Sequence, residues 1–322
     1  MPLFDLPLDR LREYLPRRDE PTDFDTFWQR TFAEAATVDL DPRFRRVDGP
    51  LRHVVVEDVR FTGWGGDPVN GWLILPPGDD PVGCVVKYLG YGRGRGFPHS
   101  HLAWPVAGWA VLVVDTRGQG AASTEAHGAT ADPHGISGPQ VPGMLTNGIS
   151  SPETYYYRRV ITDAMRAVDT AAAHPRVDTT RLVTAGHSQG GALSQAVGAM
   201  HERVRASLID EPFLTHFRRA AEIASAGPYP ELVEYLASQR DQEERVFTTL
   251  SYFDGMNFAS RARTPAYYSV SLMDEVCPPS TVFAGHNHWA GPKQIQVWPW
   301  NGHEGGQNWH LARQLDWLDQ LA

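Results

Sequence analysis

The segment LVTAGHSQGG at residues 182–191 decides how this chain folds. Its first four residues, Leu182–Ala185, are mostly apolar, as in a strand that is buried on both faces. They lead into a Gly-x-Ser-x-Gly turn, and a helix is predicted directly afterwards at Gln189–Met200. The glycines leave room for the crossing backbone, so the serine oxygen stands clear at the carboxyl end of the sheet. The spacing therefore predicts a nucleophile at Ser188.

Strands and helices alternate on both sides of this turn. Strands are predicted at Val54–Thr62, Val69–Leu75, Cys84–Tyr88, Val111–Val114, Leu182–Ala185, Ser207–Ile209, Ala266–Met273 and Ile295–Trp298. Helices are predicted at Asp23–Ala36, Tyr155–Ala173, Gln189–Met200 and Trp309–Leu321. This alternation predicts an α/β fold with a mostly parallel central sheet and right-handed crossovers. With the Gly-x-Ser-x-Gly turn, it predicts the α/β-hydrolase fold.

We expect one domain over residues 1–322, with two additions. Residues 1–50 are charged and contain prolines, which predicts an N-terminal arm whose helix Thr22 or Asp23 could cap. Residues 211–263 carry helical patterns, prolines and no strand pattern, so they predict a helical insertion over the active site. Its aromatic side chains are expected to narrow the cleft above the nucleophile, and they are Phe213, Phe217, Tyr229, Tyr235, Phe247, Tyr252 and Phe258.

The overall composition limits the classes of partner. The chain has 322 residues, of which 42% are hydrophobic and 21% charged, and its formal net charge is −9. This acidic balance disfavours nucleic acids and anionic membranes as partners. The sequence contains no run of about 18 apolar residues, so no transmembrane helix is expected. The charged N-terminus lacks a signal-peptide pattern, so Cys84 and Cys277 are expected to be reduced and the protein cytoplasmic.

A serine nucleophile needs a general base that an acid holds in place. Asp274 directly follows the strand at Ala266–Met273, and His303 follows the last strand, so both are predicted at the carboxyl edge of the sheet. Asp210, which ends the strand after the turn, is the competing acid. His310 is the competing histidine, but it lies inside the last helix, where a surface or packing role is expected.

Two backbone amides are predicted to form the oxyanion hole. The Gln189 N–H begins the helix after the nucleophile, and Tyr91 lies in the loop after an early strand, where this fold supplies its second donor. The glycine-rich segment 90–96 has two other interpretations, a phosphate-binding loop and a flexible turn. It does not fit Gly-x-Gly-x-x-Gly in any register.

Two histidine pairs raise the question of a metal site. His99 with His101 and His286 with His288 lack the cysteines or acidic residues that would complete a ligand set. We expect solvated or packing histidines there, a packing role for Cys277, and neither a metal nor a cofactor.

Several segments together resemble the cephalosporin C deacetylase and acetyl xylan esterase family of carbohydrate esterases. The motifs are Arg-Gly-Gln at 117–119, Gly-His-Ser-Gln-Gly at 186–190 and His-Glu at 303–304. Longer similar stretches lie at 94–99, 115–120, 155–159, 212–219, 249–257 and 277–284. One departure is His187, where many members carry glycine.

The resemblance implies a function and an assembly. It implies Ser188 as nucleophile, Asp274 as acid and His303 as base, with the Tyr91 and Gln189 amides as oxyanion donors. It also implies that Arg117 and Gln119 brace loops near the site, and that the protein is a hexamer without cofactors. The implied substrates are acetyl esters of small sugars, xylo-oligosaccharides and cephalosporin C.

Other functions remain open at this stage. One is a different hydrolase on the same fold, such as another short-chain carboxylesterase, a lipase-like enzyme or a peptidase. The other is a non-enzymatic binding protein with a decayed hydrolase fold, which the filled nucleophile, acid and base positions disfavour.

Overall fold

In the computed structural model, which describes residues 3–122, 125–135 and 138–321, the chain forms one nine-stranded sheet. The strands are β1 (Arg43–Arg46), β2 (Val55–Thr62), β3 (Pro68–Leu75), β4 (Val82–Tyr88), β5 (Ala110–Val114), β6 (Val177–His187), β7 (Val204–Asp210), β8 (Ala266–Ser271) and β9 (Lys293–Trp298). The α-helices are α1 (Leu8–Arg12), α2 (Phe24–Ala36), α3 (Ala103–Val106), α4 (Tyr156–Ala172), α5 (Gln189–Met200), α6 (Phe217–Ile223), α7 (Tyr229–Ser238), α8 (Glu243–Ser251), α9 (Gly255–Ala259), α10 (Pro279–His288) and α11 (Gln307–Asp319).

The sheet has an antiparallel edge and a parallel body. Its strand order is β1-β2-β3-β5-β4-β6-β7-β8-β9. The pairs from β1 to β5 are antiparallel, and the pairs from β5 to β9 are parallel. The chain leaves β4 toward β5 on one side and later returns as β6 on the other. Loops at such a switch point diverge and leave a crevice at the carboxyl edge of the sheet. The predicted α/β architecture with a mostly parallel sheet is confirmed.

Helices cover both faces of the sheet. Val86 and Tyr88 of β4 lie in the core beneath α4 and α5, whereas Val85 lies in the opposite core with Trp104 of α3 and Trp317 of α11. Side chains alternate between the two faces of a strand, so both faces of the central strands are apolar. Within the described residues, no helix combines the length and the apolar character needed to cross a lipid bilayer.

Strands β6 and β1 differ from the prediction, since β6 is longer than predicted and β1 was not predicted. Strand β6 begins at Val177, five residues before the predicted strand, because residues 178–181 are polar and partly exposed and show no apolar run. The charged strand β1 lies inside the predicted N-terminal arm, where four residues were too few for a periodic pattern. Asp23 stands at the start of α2 but makes no capping hydrogen bond. Its carboxylate instead accepts a hydrogen bond from the Tyr252 hydroxyl at 2.6 Å.

The first fifty residues and the segment 211–263 pack against each other. Phe24 and Trp28 of α2 are buried and contact the ring of Phe258 in α9, with centroids 5.2 and 5.3 Å apart. Residues 211–263 contain α6, α7, α8 and α9 and no strand. This aromatic cluster joins the N-terminal arm to the helical insertion.

A buried guanidinium joins three segments beside the sheet. Arg117, in the loop after β5, donates to both carboxylate oxygens of Asp163 in α4, at 2.5 and 2.9 Å. It also donates to Asp67 at 3.0 Å and to Asp132 at 3.3 Å, and Arg159 neutralises Asp132 from α4. The Arg117 side chain is fully buried. It therefore connects the turn between β2 and β3, the loop after β5 and α4.

Replacing Arg117 with methionine should destabilise the fold. The change leaves Asp163 buried without its charge partner, and breaking a buried ion pair costs about 3–5 kcal/mol. The free energy of unfolding, measured by urea denaturation, should fall by about that amount.

Arg43→Met is the matched control, because Arg43 pairs with Asp41 on the surface and exposed pairs contribute little. Equal unfolding midpoints for the two variants would contradict the structural role of Arg117.

Candidate active site

The turn at Ser188 has the strained geometry that its sequence predicts. Ser188 has φ 59° and ψ −118°, a left-handed conformation that is costly for a side chain other than glycine. A Cβ on Gly186 would lie 2.3 Å from the Gly190 backbone, and a Cβ on Gly190 would lie 2.4 Å from the Tyr88 carbonyl oxygen. Only glycines allow β6, the turn and α5 to cross this closely.

Backbone hydrogen bonds hold Ser188 in this conformation. Its N–H donates to the Asp210 carbonyl at 2.9 Å, and its own carbonyl accepts from the Phe213 N–H at 3.0 Å. The Ser188 side chain lines a cleft of about 980 Å³, which His303 and Tyr91 also line. The turn is thus tied to the strand end beside it and opens on this cleft.

Asp274 and His303 form a hydrogen-bonded pair at the same edge. Asp274 follows β8 and is fully buried, and its Oδ2 lies 2.8 Å from His303 Nδ1. Its Oδ1 accepts from the backbone N–H groups of Val276 and Cys277, at 2.8 and 3.0 Å. A carboxylate can only accept, so His303 Nδ1 carries the proton and Nε2 is the basic nitrogen. The structure thus brings Ser188, Asp274 and His303 to one cleft.

The two competing residues form a separate pair. His310 Nε2 lies 2.9 Å from Asp210 Oδ1, and Gln314 Nε2 donates to both Asp210 oxygens at 3.0 and 2.9 Å. His310 is buried and its ring contacts Tyr267. Asp210 is therefore engaged by α11 and not by His303.

The amides of Tyr91 and Gln189 flank the turn. Gln189 begins α5, where the first N–H groups have no intrahelical acceptor. Tyr91 lies in the loop that follows β4, the strand next to β6. Across residues 3–122, 125–135 and 138–321, neither N–H donates to another protein group. Both amides are thus available beside Ser188.

A pair of glutamine side chains, here named the amide bridge, joins these two segments. Gln119 Nε2 donates to Gln189 Oε1 at 2.8 Å, and Gln119 Oε1 accepts from the Gly92 N–H at 2.6 Å. Gln189 Nε2 donates to the Leu89 carbonyl at 3.2 Å, and the Tyr157 hydroxyl donates to Gln189 Oε1 at 2.9 Å. The amide bridge fixes the loop after β4 against the start of α5.

The Tyr91 side chain anchors the same loop on its other side. Its hydroxyl lies 3.0 and 2.9 Å from the two Glu231 carboxylate oxygens in α7. It also accepts from the backbone N–H groups of Met144 and, at 3.1 Å, Leu145. Burial, followed by the Glu231 charge, raises the pKa of Tyr91, and burial raises the pKa of Glu231. No sequence pattern points to Glu231, because its partner Tyr91 lies 140 residues away.

Cys277 lies beside the three predicted catalytic side chains. Donor atoms of Asp274, Cys277 and His303 lie within 4.8 Å of one another. Burial and then the Asp274 charge raise the pKa of the Cys277 thiol, and a hydrogen bond with the Ser188 side chain acts in the opposite direction. Cys277 therefore does more than the expected packing, because its thiol also forms a hydrogen bond with the Ser188 side chain.

A second histidine and a buried acid lie against His303. The rings of His187 and His303 are 4.7 Å apart between centroids, and His187 Nε2 is 3.6 Å from Glu211 Oε2. Glu211 is fully buried and accepts from the hydroxyls of Ser269 and Ser271 at 2.8 and 3.0 Å. Burial and then the nearby His303 lower the pKa of His187 to about 4, whereas burial raises that of Glu211. Sequence reasoning flagged His187 but missed Glu211, whose only signal is a charge directly after β7.

The histidine pairs that raised the question of a metal have other contacts. His101 Nδ1 lies 3.3 Å from Lys87 Nζ, and its Nε2 lies 3.0 Å from the Arg95 carbonyl. His288 Nε2 lies 2.8 Å from the Pro16 carbonyl. Within the described ranges, the one set of three side chains spaced for a metal is Asp274, Cys277 and His303. Asp274 and His303 are already joined by their mutual hydrogen bond.

The sequence predicts that the aromatic side chains of residues 211–263 narrow the cleft, but in the structure they do not line it. Phe213, Phe217 and Tyr229 are buried in the core beneath it. The part of this segment that lines the cleft consists of Gly227, Pro228 and Glu231. The prediction placed these rings on the wrong side, because Phe213 and Phe217 pack against Tyr229 in the core.

Known proteins resemble this chain over its full length. An acetyl xylan esterase from Paenibacillus sp. R4 superimposes with a TM-score of 0.93 and 38% identity, over 98% of this chain and 99% of that one. Acetyl xylan esterase 1 from Thermoanaerobacterium sp. JW/SL YS485 gives a TM-score of 0.89 and 31% identity, over 99% and 100% of the two chains.

A third relative matches only in part. Acetyl esterase Axe7A of Xylanibacter ruminicola is 31% identical over 181 residues, which are 55% of this chain and 39% of that protein. The sequence profile described as acetyl xylan esterase (AXE1) matches residues 1–321. With the observed fold and the arrangement around Ser188, this match shows that the chain belongs to the acetyl xylan esterase (AXE1) family.

Proposed function

We propose that this protein is a serine esterase that removes acetyl groups from small acetylated sugars and xylo-oligosaccharides, and that it also accepts cephalosporin C. The observation that carries the proposal is the strained Ser188 in one cleft with the hydrogen-bonded Asp274–His303 pair. The names of the full-length structural relatives support acetyl xylan as the substrate class.

In the proposed mechanism, His303 takes a proton and then gives it up in each half-reaction, to the sugar oxygen in the first and to Ser188 in the second. His303 Nε2 takes the Ser188 proton as Oγ attacks the acetyl carbonyl carbon, and the amides of Tyr91 and Gln189 stabilise the oxyanion. Each such donor contributes roughly 3 kcal/mol to transition-state stabilisation in other hydrolases. The C–O bond to the sugar breaks, and the sugar oxygen leaves with the proton from His303. Water then gives its proton to His303 and attacks the acetyl-enzyme, which releases acetate and restores the Ser188 hydroxyl.

Asp274→Asn should lower kcat by roughly four orders of magnitude, because the carboxylate fixes the His303 tautomer and stabilises its charged form. Asp210→Asn is the matched control, since Asp210 bonds to His310 and Gln314. The rate of acetate release from para-nitrophenyl acetate measures both. A larger loss in Asp210→Asn would show that the acid is Asp210, at the end of β7, and not Asp274, which follows β8.

The lining of the cleft favours a short acyl group. Tyr91 is held rigidly by Glu231 and by the backbone at 144–145, and Pro228 and Val276 close the same region. Charged side chains occupy much of the remaining lining, and they are Lys87, Arg93, Arg95, Glu125, Glu231 and Glu304. A long alkyl chain would desolvate these charges without pairing them, which is unfavourable. The lipase-like alternative needs an apolar channel instead.

Activity should therefore fall with acyl length. A methylene that finds no place in the cleft forgoes about 0.8 kcal/mol of burial, and a collision with Tyr91 or Pro228 adds to this loss. We expect kcat/KM to fall by at least about tenfold from para-nitrophenyl acetate to butyrate and to be near background for octanoate.

Ser188→Ala supplies the background rate, because a triad member acts only as part of its unit. Values of kcat/KM that rise with chain length would favour the lipase-like enzyme. Full activity of Ser188→Ala would rule out the serine mechanism.

We also propose that the protein assembles into hexamers, as the family resemblance implies. Trp300 and Trp309 flank the loop that carries His303, and their side chains are 79% and 80% exposed. Two exposed tryptophans so close together are unusual on a monomer and typical of an interface. Light scattering should give a mass near six times 35.8 kDa.

Trp309→Lys should lower that mass if this surface takes part in assembly. Val233→Lys, at an exposed apolar residue of α7, is the control. A monomeric wild-type protein at micromolar concentration would contradict the proposal.

A cytoplasmic location is proposed on separate grounds. Cys84 and Cys277 are both buried and not bonded to each other. Free buried thiols are common in reducing compartments.

A further inference from the structure

A second cavity of about 250 Å³ opens beside the cleft, on the sheet face covered by α11. The two cavities share residues of their lining, among them Lys87, His101 and His187. We name the second cavity the side chamber, and its defining residues are Lys87, His101, Trp104, Asp210, His310 and Gln314. It is large enough for about one sugar ring and is continuous with the space above Ser188.

Lys87 stands at the junction of the cleft and the side chamber. It is the residue before the end of β4, and its ammonium contacts His101 Nδ1 at 3.3 Å. In the described part of the chain, no carboxylate oxygen lies within 4.0 Å of Lys87 Nζ. It is one of two lysines in the sequence. A largely buried cation without a counter-ion is costly unless something else pairs with it.

Asp210 does not supply that counter-ion. Its Oδ1 lies 2.9 Å from His310 Nε2, and both of its oxygens accept from Gln314 Nε2. Burial lowers the pKa of Lys87, and the charge of Asp210 opposes this effect from a distance. An anion beside Nζ would favour the charged form of Lys87 directly.

Two histidine nitrogens in the side-chamber lining are buried and make no hydrogen bond within the described residues, and they are His187 Nε2 and His310 Nδ1. His187 Nε2 lies 3.6 Å from Glu211 Oε2, which is too far for a hydrogen bond. Buried polar atoms are normally hydrogen-bonded to protein or water. These two nitrogens are suited to sugar hydroxyls, which both donate and accept.

We propose that the side chamber binds the alcohol side of the substrate and that Lys87 pairs with a carboxylate carried by the acetylated sugar. The favoured substrate class is then an acetylated uronic acid or an acetylated oligosaccharide that bears one. This inference rests on the proposed esterase function, since it assigns the alcohol half of the same ester. A neutral sugar could hydrogen-bond to the histidines but would leave Lys87, which contacts His101, without a counter-ion.

Direct binding tests the proposal independently of turnover. Calorimetry should give at least about tenfold tighter binding of methyl glucuronide than of methyl glucoside, because a hydrogen bond between charged groups exceeds one between neutral groups. Lys87→Gln should remove this difference. Lys293→Gln is the matched control, because the Lys293 ammonium donates to the carbonyls of Asn287 and Trp289, and it should keep the difference.

Kinetics then connects the binding site to the reaction. For the wild type, kcat/KM should be at least about tenfold higher on acetylated methyl glucuronide than on the matched glucoside, and the ratio should approach one in Lys87→Gln. Hydrolysis of para-nitrophenyl acetate with no binding preference for the glucuronide would overturn the inference and leave the esterase intact. Loss of all ester hydrolysis in the wild type would instead overturn the proposed function. If Lys87→Gln does not fold, the wild-type preference alone decides.

Discussion

The close approach of Gly190 to the Tyr88 carbonyl, which leaves no room for a Cβ, is the constraint on which the rest of the structure depends. It brings the start of α5 onto the end of β4, so the loop after β4 must pass beside the turn at Ser188. Because both segments leave the sheet at its switch point, Ser188 and the amides of Tyr91 and Gln189 meet there. The strain at Ser188 is sustained by the hydrogen bonds of its neighbours and by the regular strands on either side.

Several charged and polar side chains are buried beneath the loops of the cleft. Arg117 joins loops through three carboxylates, and Glu211 is held by two serine hydroxyls below the loop of His303. Gly305 has φ 65°, and a Cβ there would lie 2.3 Å from Glu211. Such groups are costly when unpaired and specific when paired. These buried polar groups and their partners therefore determine where the loops of the cleft can lie.

The sequence predicted the strands of the sheet better than the side-chain contacts around the candidate site. The apolar runs located eight of the nine strands, and the positions of Asp274 and His303 followed from where strands end. Strand β1 and the polar first half of β6 have no such pattern. The pairings of Glu211 with His187, Asp210 with His310, and Tyr91 with Glu231 join distant segments. Each depends on packing geometry, which no local periodicity records, and the family resemblance did not include them.

The amide bridge has a consequence for the conditions under which the site keeps its shape. Carboxamides carry no titratable proton in the range where proteins stay folded, so Gln119 and Gln189 hold the same contacts in acid and in alkali. The loop after β4 and the start of α5 are thus aligned by neutral groups. A change of acidity can alter the charge of Glu231, which holds the same loop through Tyr91, but it leaves the amide bridge intact.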